Sequence, residues 1–573
     1  MDKPKVEKKI ELIAPAGSLP NLKAAVCSGA DAVYLGMAKF NAREYAKNFN
    51  EEYLKEAIRI CKSNNVKVYL TANTLVKNSE ISDFLKQIKY AYEQGIDSVI
   101  IQDSSFIEII RKSFPGLRVT MSTQAGIMNS SHANLFNADR IILARELDKK
   151  NIEMIRAKCS KELEIFIHGA LCACTSGSCL FSSLLGGRSG NRGKCAQPCR
   201  KMYNSSFLFS SRELCLIDKL PEIIKLGINS LKIEGRMRTP FYTATATEVY
   251  RKAIDSYYAG KFQVTPEMRS LLENAFSREF TEGKFSGQEV FNPKRAEGSS
   301  NIKEKIYEVK SKVISLEKRE AILEIPEAKP KNSEKKQLVV RVYNKKQAEI
   351  ASKYADIICI DLFDENFEDI RKKAKCVYAV TQRIMFDEDI PKIEERIKHL
   401  KPEGIMAGNL GILNLGLKVP IILDYNSNCF NNLQIDYYEK LGAKPIISPE
   451  LSLREVENFK NRDFLVMVHG KIRMMTLAHN MPEGKIRDEK GFNFYIKAIP
   501  NGIEVINEKE MGLFNKTINI IKAGVNQFYI DTESDAHFET ILKIYSGILA
   551  GKQVRTENIE RQYILGWSKQ SVL

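Results

Sequence analysis

The chain has 573 residues, 44% of them apolar, and 87 Lys plus Arg against 71 Asp plus Glu give a net charge of +16. At roughly 150 residues per domain this length leaves room for three to four domains, and the apolar share excludes a disordered chain. The longest apolar runs, such as Val419 to Leu423, fall far short of the ~20 residues of a membrane span, and no apolar stretch follows the charged MDKPKVEKKI start as in a secretory signal. A cytoplasmic protein without a membrane partner is expected, and its positive charge favours an anionic partner, of which RNA and DNA are the commonest.

The first 240 residues alternate short apolar runs with helical patterns. The predicted strands are Glu11–Pro15, Ala32–Gly36, Lys67–Asn73, Ser98–Asp103, Arg118–Gln124, Arg140–Arg145, Leu163–Gly169 and Ser230–Gly235. Their continuous Val, Ile and Leu content suits strands buried on both faces. Amphipathic stretches such as Glu51 to Ser63 and Ile81 to Gln94 lie between them. Eight strand–helix units predict an α/β fold, a (β/α)₈ TIM-barrel-like domain over 1–260, with an open doubly wound sheet as the alternative. Residues 261–336 change character: Lys303 to Ile325 alternates like paired strands, and Lys329 to Lys336 reads as a solvated linker. A small β-rich middle domain is expected there.

From 337 to 573 the pattern repeats. Glu146-Leu147 and His168-Gly169 find counterparts in Glu450-Leu451 and His469-Gly470, and Leu226 to Ile233 is echoed by Ala523 to Ile530. Features aligned in the same order predict an internal duplication and a second barrel-like domain. The second copy has no cysteine after Cys429.

The rhythm of the first copy breaks between its seventh and eighth strands, where a Cys-rich insertion over 169–215 leaves from the strand end at which barrels place their chemistry. It holds six of the twelve cysteines: Cys172, Cys174, Cys179, Cys195, Cys199 and Cys215. In a reducing compartment such a cluster reads as metal-binding or catalytic rather than disulfide-bonded. The spacing Cys172-x₆-Cys179-x₁₅-Cys195-x₃-Cys199 suits tetrahedral zinc or an iron–sulfur cluster. Only one pair has zinc-knuckle spacing, and the wide, glycine-rich gaps favour the larger object. Cys174 alternates away from Cys172, and Cys215, flanked by leucines, is the reserve fourth ligand.

These residues resemble a known family. His168-Gly169-Ala170-Leu171-Cys172, Ser176-Gly177-x-Cys179, Cys195-x₃-Cys199-Arg200 and Lys232-Ile233-Glu234-Gly235-Arg236 look like the signature blocks of the U32 peptidase-like family. Leu12 to Ser18, Gly29 to Gly36 and Phe40-Asn41-Ala42-Arg43 match its N-terminal pattern, and the duplicated length is similar to its longer members. The resemblance implies an oxygen-independent hydroxylase. A [4Fe–4S] cluster on Cys172, Cys179, Cys195 and Cys199 would serve hydroxylation of a pyrimidine C5 in RNA, making 5-hydroxycytidine in 23S rRNA or 5-hydroxyuridine in tRNA, with prephenate as oxygen donor. The family name also implies collagenase-like peptidase activity. A non-catalytic, metal-stabilised RNA-binding protein is the third alternative.

No H-E-x-x-H or G-x-S-x-G motif supports proteolysis. Asn41, Arg43, Asn73, Gln102, Asp103, Gln124, Glu146, His168, Glu234 and Arg236 fall at predicted strand ends, which converge on one mouth in a barrel. Among these, Arg43 and Arg236 are expected to bind a dicarboxylate by bidentate pairing, and His168 and Glu234 to move protons. Arg188, Arg192, Lys194, Arg200 and Lys201 crowd the cysteine loop as candidate phosphate contacts, and Tyr34, Phe40, Tyr45 and Tyr203 are candidate stacking surfaces for an unpaired base. The second copy is expected to be a scaffold or RNA platform, making the chain a monomeric fused pseudo-dimer.

Overall fold

The computed structural model describes residues 9–276, 278–288, 290–291, 306–309, 319–333, 335–554, 563–566 and 572. Nine strands open the chain: β1 (Glu11–Pro15), β2 (Ala32–Leu35), β3 (Lys67–Ala72), β4 (Ser98–Ile101), β5 (Arg118–Met121), β6 (Arg140–Ile142), β7 (Glu162–Ala170), β8 (Glu213–Cys215) and β9 (Ser230–Ile233). Parallel pairing runs from β1 through β7, then from β7 to β9 and from β9 back to β1, which closes an eight-stranded barrel. The eight predicted strands are these eight. β8 is an addition, pairing antiparallel with the end of β7, and β10 (Phe280–Thr281) extends it.

The helices between them start where polar caps satisfy free amides. Ser18 caps Leu19–Cys27, and the Asn50 side chain accepts from Tyr53 N at 2.8 Å to start Glu51–Ser63. The barrel interior carries a paired charged layer. Arg140 bonds Glu11 at 2.6 Å and Glu164 at 3.2 Å, and Lys232 bonds Glu164 at 2.9 Å. Above it Ile13, Tyr34, Tyr69, Ile100 and Ile142 pack with Phe166.

The second half repeats the architecture. β11 (Gln337–Arg341), β12 (Ile357–Asp361), β13 (Val377–Val380), β14 (Gly404–Ala407), β15 (Ile421–Leu423), β16 (Ala443–Pro445), β17 (Val466–Gly470) and β23 (Gln527–Asp531) are parallel, and an Ile446–Leu465 bridge joins the outermost strands. Between β17 and β23, where the first copy carries its cysteines, lie β18 (Arg473–Leu477), β19 (Gly484–Arg487), β20 (Asn493–Ile499) and β21 (Gly502–Asn507), an antiparallel sheet, followed by β22 (Met511–Gly512) paired to β17. The duplication extends to side chains. Tyr250 donates to Ile167 O at 2.9 Å beside His168, and Tyr545 donates to Val468 O at 2.8 Å beside His469.

The expected middle domain lies in part outside the described residues. Among the described residues of 261–336 there is no separate β unit: Pro266–Asn274 is helical, and β10 joins the first barrel's sheet. Much of the expected strand pair over 303–325 lies outside the described residues. The expected solvated linker is pinned down, because Lys331 N donates to Lys460 O and its ammonium pairs with Glu439 and Asp463.

The two barrels share one continuous apolar core and touch along the C-terminal ends of their strands. Loops after β3, β4 and β5 meet loops after β13, β14 and β15. Asn431 Nδ2 donates to Asp103 Oδ2 at 2.8 Å, Asn129 Nδ2 to Met385 O at 2.8 Å, and Ser130 N to Asp387 Oδ2 at 2.9 Å. The third, fourth and fifth strands of each copy supply the contact, as in an isologous dimer interface.

Candidate active site

The excursion 171–229 folds over the first barrel's mouth through a short helix, Phe181–Gly186, and two 3₁₀ turns, Gly190–Arg192 and Pro198–Arg200. Two glycines set how closely it can lie. A Cβ on Gly177 would stand 1.8 Å from Gln124 O, and one on Gly193 would stand 2.2 Å from Asn41 O; both have positive φ. Only glycine fits such an approach.

Beneath this cover is a cavity of about 220 Å³ lined by Cys172, Cys174, Cys179, Cys195 and Cys199. Cys199 thus joins the other three candidate ligands. Cys215 lines a separate pocket with Asp218 and Arg269, its sulfur 3.7 Å from Tyr250 Oη. Cys174 is buried and bonds Thr476 O of β18 at 3.3 Å. Burial pushes the Cys172 thiol up, and it lifts Cys199 to about 12. Cys179 is raised first by its hydrogen bond with Cys174. Among the described residues no three His, Cys, Asp or Glu side chains converge to hold a single metal ion. Four cysteines lining one cavity are a donor set that fits either an iron–sulfur cluster or a zinc ion.

Arg43, Arg145, Arg200, Lys232 and Arg236 also line the cavity, against a single carboxylate, Glu234. Glu234 pairs with Arg43 at 3.0 Å. Burial would raise this carboxyl, but Arg43, Arg145 and Arg238 hold it below its ordinary value. Arg236 is 3% exposed, and its hydrogen bonds go to neutral groups: Thr71 Oγ1 at 2.9 Å, Asn41 Oδ1 at 3.0 Å and Asn48 Oδ1. No carboxylate pairs with it among the described residues, and burial lowers it to about 10. Arg145 lies over the Phe166 ring at 4.0 Å and bonds Ala170 O. The cavity therefore offers an anion site next to the thiols.

Of the other predicted mouth residues, Asn73 and Gln124 line the cavity and Asn41 buttresses Arg236. Asp103 is engaged with the second barrel, Gln102 lines a small void between the barrels, and Glu146 lies outside the cavity, lifted to about 7 by burial. His168 is not brought to the site. The pairing of β7 with β9 shifts register between Phe166 and His168, a bulge that turns the imidazole outward. There it packs among Tyr242, Tyr250, Phe276 and Phe280, and burial lowers it to about 3. Of the basic loop residues, Arg192 is paired with Glu80, Lys194 with Glu44, and Arg200 bonds Ser211 O.

The second half supplies part of the cover. Thr175 N donates to Thr476 O at 2.8 Å, Leu180 N to Met474 O at 2.8 Å, and Met475 lines the cavity. Glu450 accepts from Asn191 at 3.2 Å inside the cysteine excursion. Sequence reasoning missed these residues, because the only signal for them was the copy-to-copy position of Glu450 and of the β17–β23 insertion.

A model of peptidase family U32 matches residues 17–292 and 352–481. The "tRNA hydroxylation protein P1" of Bacillus subtilis is 35% identical over 304 residues, covering 49% of this chain and 72% of that protein. A protein of Porphyromonas gingivalis named "Collagenase" is 31% identical over 326 residues, covering 52% of this chain and 78% of the other. The "23S rRNA 5-hydroxycytidine C2501 synthase" of Escherichia coli is 32% identical over 262 residues, covering 43% of this chain and 40% of the other. With the match reaching both barrels and the signature blocks gathered at one barrel mouth, the chain belongs to peptidase family U32.

Proposed function

We propose that this protein is an RNA-modifying enzyme that hydroxylates C5 of a pyrimidine without molecular oxygen. It would use an iron–sulfur cluster of the [4Fe–4S] type held by Cys172, Cys179, Cys195 and Cys199. The observation that carries the reading is that these four thiols line one cation-rich cavity at a barrel mouth. The names of relatives that act on tRNA and on 23S rRNA support RNA as the substrate. The net charge of +16 agrees with it.

When bound, the cluster would supply Lewis acidity and redox capacity beside the base. The chain's own groups do the rest. Arg236 and Arg145, which have no carboxylate partner among the described residues, bind an anionic oxygen donor such as the dicarboxylate prephenate. Arg43 orients Glu234, whose carboxylate stands ready at the cavity wall to accept a proton released as the C5–H bond is replaced. The cysteine excursion and β18 roof part of the cavity. The second barrel takes the place of a second subunit, so the active form is a monomer, working in the cytoplasm where its RNA is. No helix among the described residues is long and apolar enough to cross a membrane.

The relative named collagenase favours peptidase activity as the second reading. A Cys172–His168 pair does not form here, because His168 is turned into an aromatic pocket. The test is mass spectrometry of RNA nucleosides from a deletion strain, with iron and acid-labile sulfide measured on anaerobically purified protein. Loss of a 5-hydroxypyrimidine is expected. An unchanged nucleoside profile, or protein free of iron after reconstitution, overturns the reading.

A further inference from the structure

Four aromatic residues near the mouth were candidate stacking surfaces, and the structure separates them. The Tyr34 hydroxyl is tied to Ile233 O, and its ring lies under Lys232. Tyr203 is fully buried against Phe181, Phe209 and Phe494, and Phe40 packs edge-on to Phe84. Tyr45 alone of the four is both at the cavity and 55% exposed.

A lone exposed aromatic needs no explanation, but this one is mounted rigidly. The buried Asn48 side chain donates to Arg43 O, Glu44 O and Ala46 O, bracketing Tyr45, and its carbonyl accepts from Arg236. The Arg188 guanidinium lies over the ring, 5.0 Å from its centre, and is steadied by Lys194 O at 3.1 Å. No second ring or cation stacks on Tyr45 among the described residues. Met237, on the loop after β9, lines the same cavity and is 56% exposed. A rigid ring electronically matched to a cation, with an apolar neighbour, at the entrance of a cationic cavity is the arrangement used to hold an unstacked base.

We propose that the Tyr45 ring, backed by Arg188, is the platform on which the extruded target pyrimidine stacks as it enters the cavity, and that Met237 supplies apolar contact to the same base. The proposal rests on the RNA hydroxylase reading and adds to it the residue that selects a flat, unpaired base.

The experiment uses full-length, cluster-loaded protein and a short single-stranded RNA carrying one fluorescent cytosine analogue, whose emission is quenched by stacking. Wild-type protein is expected to bind and quench. Tyr45→Ala should lose the quenching and weaken binding about tenfold, as for one base–aromatic stack. Its KM for the natural RNA should rise while kcat falls little, with cluster absorbance unchanged. Tyr45→Phe should restore quenching, because the π-face is kept, and Met237→Ala should weaken binding by a smaller factor. Quenching and affinity in Tyr45→Ala equal to wild type would overturn this proposal alone. Failure of wild-type protein to bind RNA would overturn the hydroxylase reading and this proposal with it.

Discussion

The Glu234 carboxylate, just past β9, reaches across the end of β1 to the Arg43 guanidinium on the loop after β2, at 3.0 Å. Among the described residues Glu234 is the one carboxylate that lines the cavity. Glu234→Gln keeps the shape and removes the charge. It should lower kcat roughly a hundredfold if this carboxylate accepts the proton. The folded-state pKa lies below the ordinary value, so the pair's stabilisation is fully present above the unfolded pKa of about 4.3 and fades as pH falls through the folded one. Glu234→Gln should therefore lack that acid limb in Tm measured against pH.

Five thiols line one cavity, Cys174 among them but engaged with Thr476 O, and Cys215 lines another. Cys172→Ser, Cys179→Ser, Cys195→Ser and Cys199→Ser should each lose most of the bound iron and its charge-transfer absorbance, whereas Cys215→Ser, in its own pocket, should keep both. Iron and sulfide assays on anaerobic protein decide it. Iron lost from Cys215→Ser and kept by Cys199→Ser would refute the assignment.

Arg236 is a buried cation bonded to neutral groups. Arg236→Met should raise KM for a dicarboxylate donor roughly tenfold to a hundredfold, the worth of a charge-assisted hydrogen bond. Affinity for RNA should fall by a smaller factor, through loss of the Arg236–Asn48 contact beneath Tyr45. Steady-state hydroxylation with the donor varied under anaerobic conditions reads the split.

His168 acts on stability. Burial holds its pKa at about 3, below the unfolded value near 6.5. Neutral His168 thus contributes stability that is complete above about pH 6.5 and is lost progressively as pH falls toward 3. His168→Phe should flatten that part of the Tm–pH curve and leave the rate per folded molecule unchanged.

The barrels should unfold together. Asn431→Leu removes the donor to buried Asp103 and should cost about 1–3 kcal/mol. Denaturant unfolding should remain one transition, with its midpoint lowered.

Much of the first barrel could be read from the sequence, because parallel strands buried on both faces leave unbroken apolar runs, and strand ends in a barrel must converge. Cys172, Cys179, Cys195 and Cys199 followed from that, since their loop leaves from one strand end. His168 did not. Alternation along β7 points Glu164, Phe166 and the next-but-one residue inward, and one bulge reverses the last of them. A bulge is a local accommodation that spacing does not encode. The partners of the cysteine loop's charges were not legible either: Arg192 and Lys194 are answered by Glu80 and Glu44, far away in sequence. The contacts of Thr175 and Cys174 with Thr476 span some three hundred positions, which no local pattern reports.

The excursions at matched places in the two copies have unlike contents, sulfur in one and a plain antiparallel sheet in the other. Its strand β18 borders the thiols directly, through the Cys174–Thr476 contact and Met475, so the second copy helps to shape a pocket whose sulfurs all come from the first. A substitution in one copy is thus felt at the sulfurs of the other.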